Sequence, residues 1–475
     1  MYKKLIKDII IYGLGTALPR AINLIFTYFF TKILPREAYA NVNDVFIFDF
    51  LMIQVLTFGF ETAIFRFASK EENKHTVTKT ALYTVGFGVL LFLVLGLVFH
   101  RELAAFRNYP SEYALFAIII VASDTFLALG YTYLRLQEKS IQFSLLKVFN
   151  VIVNTSVLLL FFAVDFPSFE YVKNLTDDGG LILTATLVAS LMSLFLMSWE
   201  FINILKKGVF HLKLSKKMIQ FGAPIAIASI AYALNETFDK FFMKSALGEE
   251  VTGAYAACYK LGVFIMLYEM AFRLGIEPFF FKQMGTKNQN QIYAKAITIY
   301  TILGCMVYMS VMANLNWLKK LIIAQNEYFT AISIVPIILL ANLILGIYRN
   351  ISIWYKVVDK TYYGMYFSLV GVAVTIIGNV VILTQTQNFI IAAWATLIAY
   401  SIMLILSYLF SRKVNPIPYD LIKILGYLFF TSSIVFLLFY YNLGLILNNI
   451  ILIIYLIVIF LVEFKTIKSF SKRQK

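Results

Sequence analysis

Glu269, Arg273 and Glu277 stand four residues apart in a stretch that is otherwise almost wholly apolar. At helical spacing they form one column, with a carboxylate one turn to either side of the arginine. Glu236 and Lys240 repeat the i,i+4 spacing in the preceding apolar run. Further ionisable residues fall at similar depth: Arg20, Lys260 and Arg349 among the bases, and Asp49, Glu61, Asp124, Glu200 and Asp239 among the acids. A charge at the centre of a bilayer costs about 2.5–3.5 kcal/mol or more, so such groups face a partner or a wet cavity. For Glu236, Glu269 and Glu277, mutual neutralisation at a helix interface competes with a functional role. Arg20 has no acid three or four residues away, so its partner comes from another helix, water or a ligand. Pro19 beside it removes a backbone donor and favours a kink. Asp49 and Asp124 admit two readings, a proton or cation site and a structural hydrogen bond. Tyr131, Tyr232 and Tyr268 are candidate sugar platforms set against ordinary packing.

The elements that must hold these residues are membrane helices. The chain of 475 residues is 60% hydrophobic and 14% charged, with a mean hydropathy of +0.79. No soluble fold hides that much apolar surface, and runs of about 20 apolar residues recur along the chain. A hydropathy window of roughly 19 residues predicts fourteen spans: 8–31, 43–66, 77–99, 112–135, 141–164, 180–205, 217–247, 252–282, 291–313, 331–355, 362–384, 388–411, 420–441 and 443–463. The first carries Arg20 and lacks a small-residue cleavage site, so it reads as a retained helix and not as a signal peptide. The short join at Asn442–Leu443 leaves a re-entrant hairpin as the alternative to two full spans. The fold class expected is therefore an all-α polytopic membrane protein.

Charge sets the orientation. The formal net charge is +15, which the positive-inside rule explains without nucleic acid. With the N-terminus inside, the outer loops hold only Lys32, Arg36, Arg101, Arg107, Lys173, Lys244, Lys319 and Lys320 of the 41 basic residues. Both termini are then cytosolic, and the tail KTIKSFSKRQK lies beside anionic lipid. The basic segment Lys206–Lys217 reads as a hinge between two six-helix halves. ILPREAYANV after span 1 is echoed by ALGEEVTGAY after span 7, and Glu61 and Arg66 by Glu269 and Arg273. Parallel repeats of this kind are a common transporter plan. The boundaries expected are 1–210, 211–413 and 414–475.

Catalytic signatures do not occur. The sequence has no G-x-x-x-x-G-K-[ST] loop, no G-x-S-x-G elbow and no H-E-x-x-H. Cys258 and Cys305 lie in apolar segments without metal-ligand spacing, and the three histidines, His75, His100 and His211, fall in loops or at helix ends. No metal and no cofactor is expected, and the chain reads as a transporter, not an enzyme.

Several segments resemble the polysaccharide biosynthesis proteins of the multidrug/oligosaccharidyl-lipid/polysaccharide (MOP) exporter superfamily, in particular the Bacteroidetes-type lipopolysaccharide (O-antigen) flippases. They are LPREAYANV, FGFETAIFRFAS, LRLQEKSIQFSLLKVFNV, ETFDKFFMK, GAYAACYKLGVFIMLYEMAFRLGIEPFFF, IYRNISIWYKVVDKTYYGMYFSLVG, AAWATLIAYSIM and NPIPYD. The resemblance implies two pseudo-symmetric six-helix lobes around a central cavity, two appended C-terminal helices, and alternating access by rocking of the lobes. It implies an undecaprenyl-pyrophosphate-linked oligosaccharide moved from the inner to the outer leaflet of the bacterial cytoplasmic membrane. It also implies cavity arginines on helices 1 and 8, which Arg20 and Arg273 match. Such flippases carry more than one arginine low on the early helices, and here Arg20 stands alone in helix 1.

A pyrophosphate calls for charge-assisted donors, and guanidinium offers a bidentate fork. Arg20 and Arg273 are therefore the expected pyrophosphate ligands, aided by Lys240, Lys260 and Arg349. Asp49, Glu61, Asp124, Glu236, Asp239, Glu269 and Glu277 are expected to couple a cation or to pair charges. Membrane lipids and a coupling cation are the other expected partners. Two alternatives stay open: a cation-coupled drug or metabolite antiporter of the same superfamily, and a membrane glycosyltransferase or ligase.

Overall fold

The computed structural model describes residues 22, 24–68, 74–163, 176–283, 288–357, 360, 362–441 and 443–471. Thirteen helices in it are long and apolar enough to cross a membrane, and a shorter apolar helix precedes them. In chain order they are α1 (Leu24–Ile33), α2 (Arg36–Ala68), α3 (Lys74–Val98), α4 (Ser111–Leu136), α5 (Ser140–Ala163), α6 (Asp178–Lys207) and α7 (Leu212–Leu247). Then come α8 (Glu249–Arg273, its helix running on to Gln283), α9 (Gln289–Ala313), α10 (Asn326–Tyr355), α11 (Tyr362–Thr386), α12 (Ile390–Val414), α13 (Leu421–Tyr441) and α14 (Leu445–Glu463). No strand occurs among the described residues. The protein is an all-helical polytopic membrane protein with about fourteen spans.

Local sequence explains the joints. Pro35 and Pro110 stand just before α2 and α4, where a missing backbone donor is harmless. Asp177 caps α6 by accepting from the Gly180 amide at 2.8 Å. Only Gly248 separates α7 from α8, and its φ of +86° makes the reversal in one residue. Gly444, at φ +87°, turns the chain between α13 and α14. α13 and α14 are each long and apolar enough to cross a membrane, as two full spans require. α2 begins at Arg36, seven residues ahead of the predicted span, because REAYANV is helical but too polar to register in a hydropathy window.

α2, α3, α5 and α6 surround α4 or each other in the first half, and α7, α9, α11 and α12 pack with α10 or each other in the second. α13 and α14 lie against α9. Their outward faces carry Ile422, Phe429 and Ile446, among the most exposed apolar residues in the chain. That surface suits lipid and not water.

The halves meet along α2, α7 and α8. α2 breaks at Phe58 and Gly59, whose φ values are +46° and +72°. There it crosses α7 so closely that a Cβ on Gly59 would stand 2.7 Å from the Gly222 carbonyl oxygen. Two residues on, Pro224 stands inside α7, where it removes a backbone donor from the helix. Before it, Leu214 and Met218 pack among Phe60, Ala63, Val77 and Ala81 of the first half. Beyond it, Asn235 donates to the Ser368 carbonyl and accepts from Thr375, both on α11.

Candidate functional site: an intramembrane charge network

The α7 face beyond Pro224 presents Tyr232, Glu236, Asp239 and Lys240. The Lys240 ammonium donates to the Asp239 carboxylate at 2.9 Å and to the Glu236 backbone carbonyl at 2.9 Å, and it sits 3.4 Å from the centre of the Tyr259 ring. Tyr255 donates to the other Asp239 oxygen at 2.8 Å. The i,i+4 pair expected of Glu236 and Lys240 is thus replaced. The lysine reaches the peptide carbonyl one turn back, and two phenols claim the carboxylate: Tyr400 of α12 at 3.0 Å and Tyr259 of α8 at 3.3 Å.

Arg349 of α10 joins this network to the α8 column. It donates to the Tyr232 hydroxyl at 2.6 Å and pairs with Glu269 at 3.2 Å. Arg273, one turn along from Glu269, lies 3.9 Å from it with 44% of its side chain exposed. The expected column therefore has an asymmetric outcome. Glu269 takes its closer ion pair from another helix, and Arg273 forms no other ion pair among the described residues. Lys260, in a single 3₁₀ turn within α8, has exposed surface and Lys240 and Glu236 as its electrostatic neighbours. Lys240, Lys260, Arg273 and Arg349 thus converge with Glu236, Asp239 and Glu269 in the C-terminal half. Arg20 and the Glu277 side chain lie outside the described residues.

The acids of the N-terminal half sit apart. Asp49 of α2 and Asp124 of α4 are electrostatic neighbours, Asp124 has the Ser190 hydroxyl beside it, and the Asp49 Oδ1 is buried without a hydrogen bond among the described residues. Glu61 has Arg135, Lys147 and Thr132 around it. Glu200 is bound by Lys139 at 2.6 Å. Of the candidate sugar platforms, Tyr232 serves Arg349, Tyr268 donates to the Tyr300 carbonyl at 2.7 Å and stacks on that ring, and Tyr131 packs edge-on against Phe143.

The membrane end that holds Gly248 is sealed between the halves. Arg107, 4% exposed, forks onto Asp44 and donates to the Phe241 carbonyl at 3.1 Å. Lys244 donates back to the Arg107 carbonyl and pairs with Glu249 at 3.5 Å. Arg36 pairs with Glu250, and Asn41 donates to Glu249 at 3.4 Å, so the two echoed sequence segments touch one another. Tyr328 donates to the Leu34 carbonyl at 2.8 Å. Sequence reasoning put Arg107 in a loop, and it missed Tyr255, Tyr259 and Tyr400 because a phenol in an apolar run looks like packing. Beside this end an apolar cleft of about 530 Å³ opens between α1 and α8, lined by Leu24, Ile25, Tyr28, Phe264 and Lys320–Ile322.

The profile of a family described as "Polysaccharide biosynthesis protein" matches residues 5–282, and that of MatE matches residues 224–381. No curated protein matches. Among solved structures, the chain is similar to an inward-facing multidrug resistance MATE family transporter of the MOP superfamily, at 14% identity and a TM-score of 0.62, over 85% of this chain and 93% of that one. It is also similar to a MATE in the straight conformation (15% identity, TM-score 0.55, 86% and 95% covered) and to the MATE transporter ClbM in complex with Rb+ (14% identity, TM-score 0.56, 86% and 94% covered). The fold is that of the MATE transporters and the profile spans more than half of the sequence: this chain is a multi-pass membrane protein that belongs to the polysaccharide biosynthesis protein family.

Proposed function

We propose that the chain is a flippase that moves a polyprenyl-pyrophosphate-linked oligosaccharide from the inner to the outer leaflet of the bacterial cytoplasmic membrane. The observation that carries the reading is the convergence of four intramembrane cations in the C-terminal half, with Arg273 only loosely engaged. A pyrophosphate is the ligand such a surface suits, because charge-assisted donors outcompete water for phosphate oxygens. Arg273 and Arg20 are assigned to the diphosphate, with Lys240, Lys260 and Arg349 shaping the potential around it. The cleft between α1 and α8 suits a polyprenyl tail that stays in lipid while the sugars cross between the halves.

The basic end, with Lys206–Lys217, is assigned to the cytosol, and the sealed end to the outer face. Alternating access then requires the Arg36–Glu250 and Arg107–Phe241 contacts to break as the lobes rock. The lobes are taken as residues 1–210 and 211–413, with 414–475 appended. The first turns of α7 pack with the N-terminal lobe, so the flexible joint is placed at Gly222–Pro224. With the interior negative, each uncompensated negative charge moved outward gains about 2.3 kcal/mol per 100 mV.

The second reading is a cation-coupled antiporter, and the Asp49–Asp124 pair with its unpartnered buried oxygen favours it. Proteoliposomes loaded with a short-chain fluorescent lipid-linked oligosaccharide separate the two. Flipping by wild type and its loss in Arg20→Ala support the flippase. Proton- or sodium-driven efflux of an organic cation, with no lipid flipping, supports the antiporter.

A further inference from the structure

On the outer wall of the N-terminal half, an apolar groove of about 710 Å³ runs between α3, α6 and the start of α7. Its floor includes Leu82, Phe126 and the Thr84–Ser215 hydroxyl pair, which are 2.7 Å apart. Its walls are Tyr83, Phe87, Leu90, Leu205, Phe210 and Leu212, all exposed. The groove lies beside the most basic connection of the chain. Lys206 lies in the last turn of α6, and Lys213, Lys216 and Lys217 occupy the first turns of α7, which hold no acid. Lys216 stands one turn after Leu212, on the helix face that lines the groove. Lys206, Lys213 and Lys216 are exposed and form no ion pair among the described residues. Glu200, the acid near this end of α6, is already held by Lys139.

An apolar slot along the membrane wall, with exposed lysines next in sequence to its lining residues Leu205 and Leu212 and one turn beyond Leu212, matches one kind of molecule, with an anionic head and a hydrocarbon tail. We propose that this groove binds an anionic membrane phospholipid. Its acyl chain lies along Phe87, Leu90 and Phe126, and its phosphate lies at Lys206, Lys213 and Lys216. Burial of the chain against this wall supplies affinity, and the basic rim supplies selection for negative headgroups. Because the groove touches both α3 and the α7 segment ahead of Pro224, an occupant braces α7 against the N-terminal half.

The glycines of α3 provide the test. A Cβ on Gly86, which lines the groove, would meet only the Phe126 ring at 3.6 Å, and one on Gly88 would meet nothing within 4 Å. The backbone therefore admits a side chain at Gly86, so Gly86→Leu places apolar bulk in the groove, and Gly88→Leu is its control on another face. Both improve helix propensity, so neither threatens folding. The full chain in non-ionic detergent is titrated with palmitoyl-oleoyl phosphatidylglycerol, phosphatidylcholine or undecaprenyl phosphate. Bound lipid is read by native mass spectrometry and by the melting temperature.

Wild type and Gly88→Leu are expected to retain phosphatidylglycerol over phosphatidylcholine. Gly86→Leu is expected to lose that lipid. Lys213→Gln with Lys216→Gln is expected to weaken it roughly five- to thirtyfold. Equal retention of the two phospholipids by wild type overturns the proposal, as does undiminished binding in Gly86→Leu. Retention of undecaprenyl phosphate with no phosphatidylglycerol assigns the groove to a polyprenyl lipid and overturns it too.

Discussion

At the scale of single residues, Glu269 decides what its two arginines can do. Arg349 holds it at 3.2 Å from another helix, and Arg273 stands off at 3.9 Å. Removal of Arg349 leaves a buried carboxylate without its main partner, a defect that costs about 3–5 kcal/mol. Arg349→Ala is therefore expected to melt well below wild type, and Glu269→Gln in the same chain should recover part of the loss. Arg273→Ala leaves the Arg349 pair in place, so normal membrane levels are expected. Its proposed loss is one charge-assisted contact to substrate, about 1.5–3 kcal/mol, or roughly ten- to a hundredfold in affinity. Blotted membrane levels beside glycan export in a flippase-null strain read both quantities. Wild-type export by Arg273→Ala would remove it from the binding surface. Arg20→Lys is expected to retain part of the export that Arg20→Ala loses, because an ammonium lacks the planar fork.

At the scale of elements, the crossing of α2 and α7 is the joint where local geometry matters most. Gly59 combines φ +72° with a carbonyl oxygen 2.7 Å from any added Cβ. A left-handed residue with a Cβ costs about 1–2 kcal/mol before any clash is counted. Gly59→Ala is expected to lower the melting temperature in detergent, whereas Gly426→Ala on α13, with nothing within 4 Å, should match wild type or exceed it. Equal melting of the two would show that α2 relaxes around the crossing. The appended pair has its own staple: Lys423 on α13 reaches Glu463 on α14 at 2.7 Å, and Tyr427 donates to the same carboxylate at 2.7 Å.

At the scale of the whole molecule, the sealed end and the orientation are open to direct measurement. A Cβ on Gly253 would fall 1.9 Å from the Arg36 carbonyl oxygen, so the backbones of α2 and α8 meet closely there. Gly253→Leu is expected to wedge this end apart and stop export. Arg36→Cys in that background should then react faster with a membrane-impermeant maleimide; the native Cys258 and Cys305 are buried. Unchanged labelling together with full export would mean that this contact is no gate. For orientation, a reporter fused after Lys475 is expected to behave as cytosolic and one inserted within 165–180 as external. An external C-terminus would break the fourteen-helix reading.

Sequence by itself determined the class of protein and the order of its spans, and it named the residues expected to carry charge at membrane depth. Each of these depends on the composition of one contiguous segment, and hydropathy sums locally. It also marked the echo between ILPREAYANV and ALGEEVTGAY. Tertiary structure decided that those two segments meet, Arg36 against Glu250. It decided that Lys240 answers to Asp239 and not to Glu236, that Arg349 from α10 takes Glu269, and that Arg107 is buried on Asp44. The i,i+4 rule compares partners within one helix. In a low-dielectric bundle, a carboxylate instead takes whichever donors the neighbouring helices bring closest, and Tyr259, Tyr400 and Arg349 lie 23, 164 and 80 residues from the acids they serve.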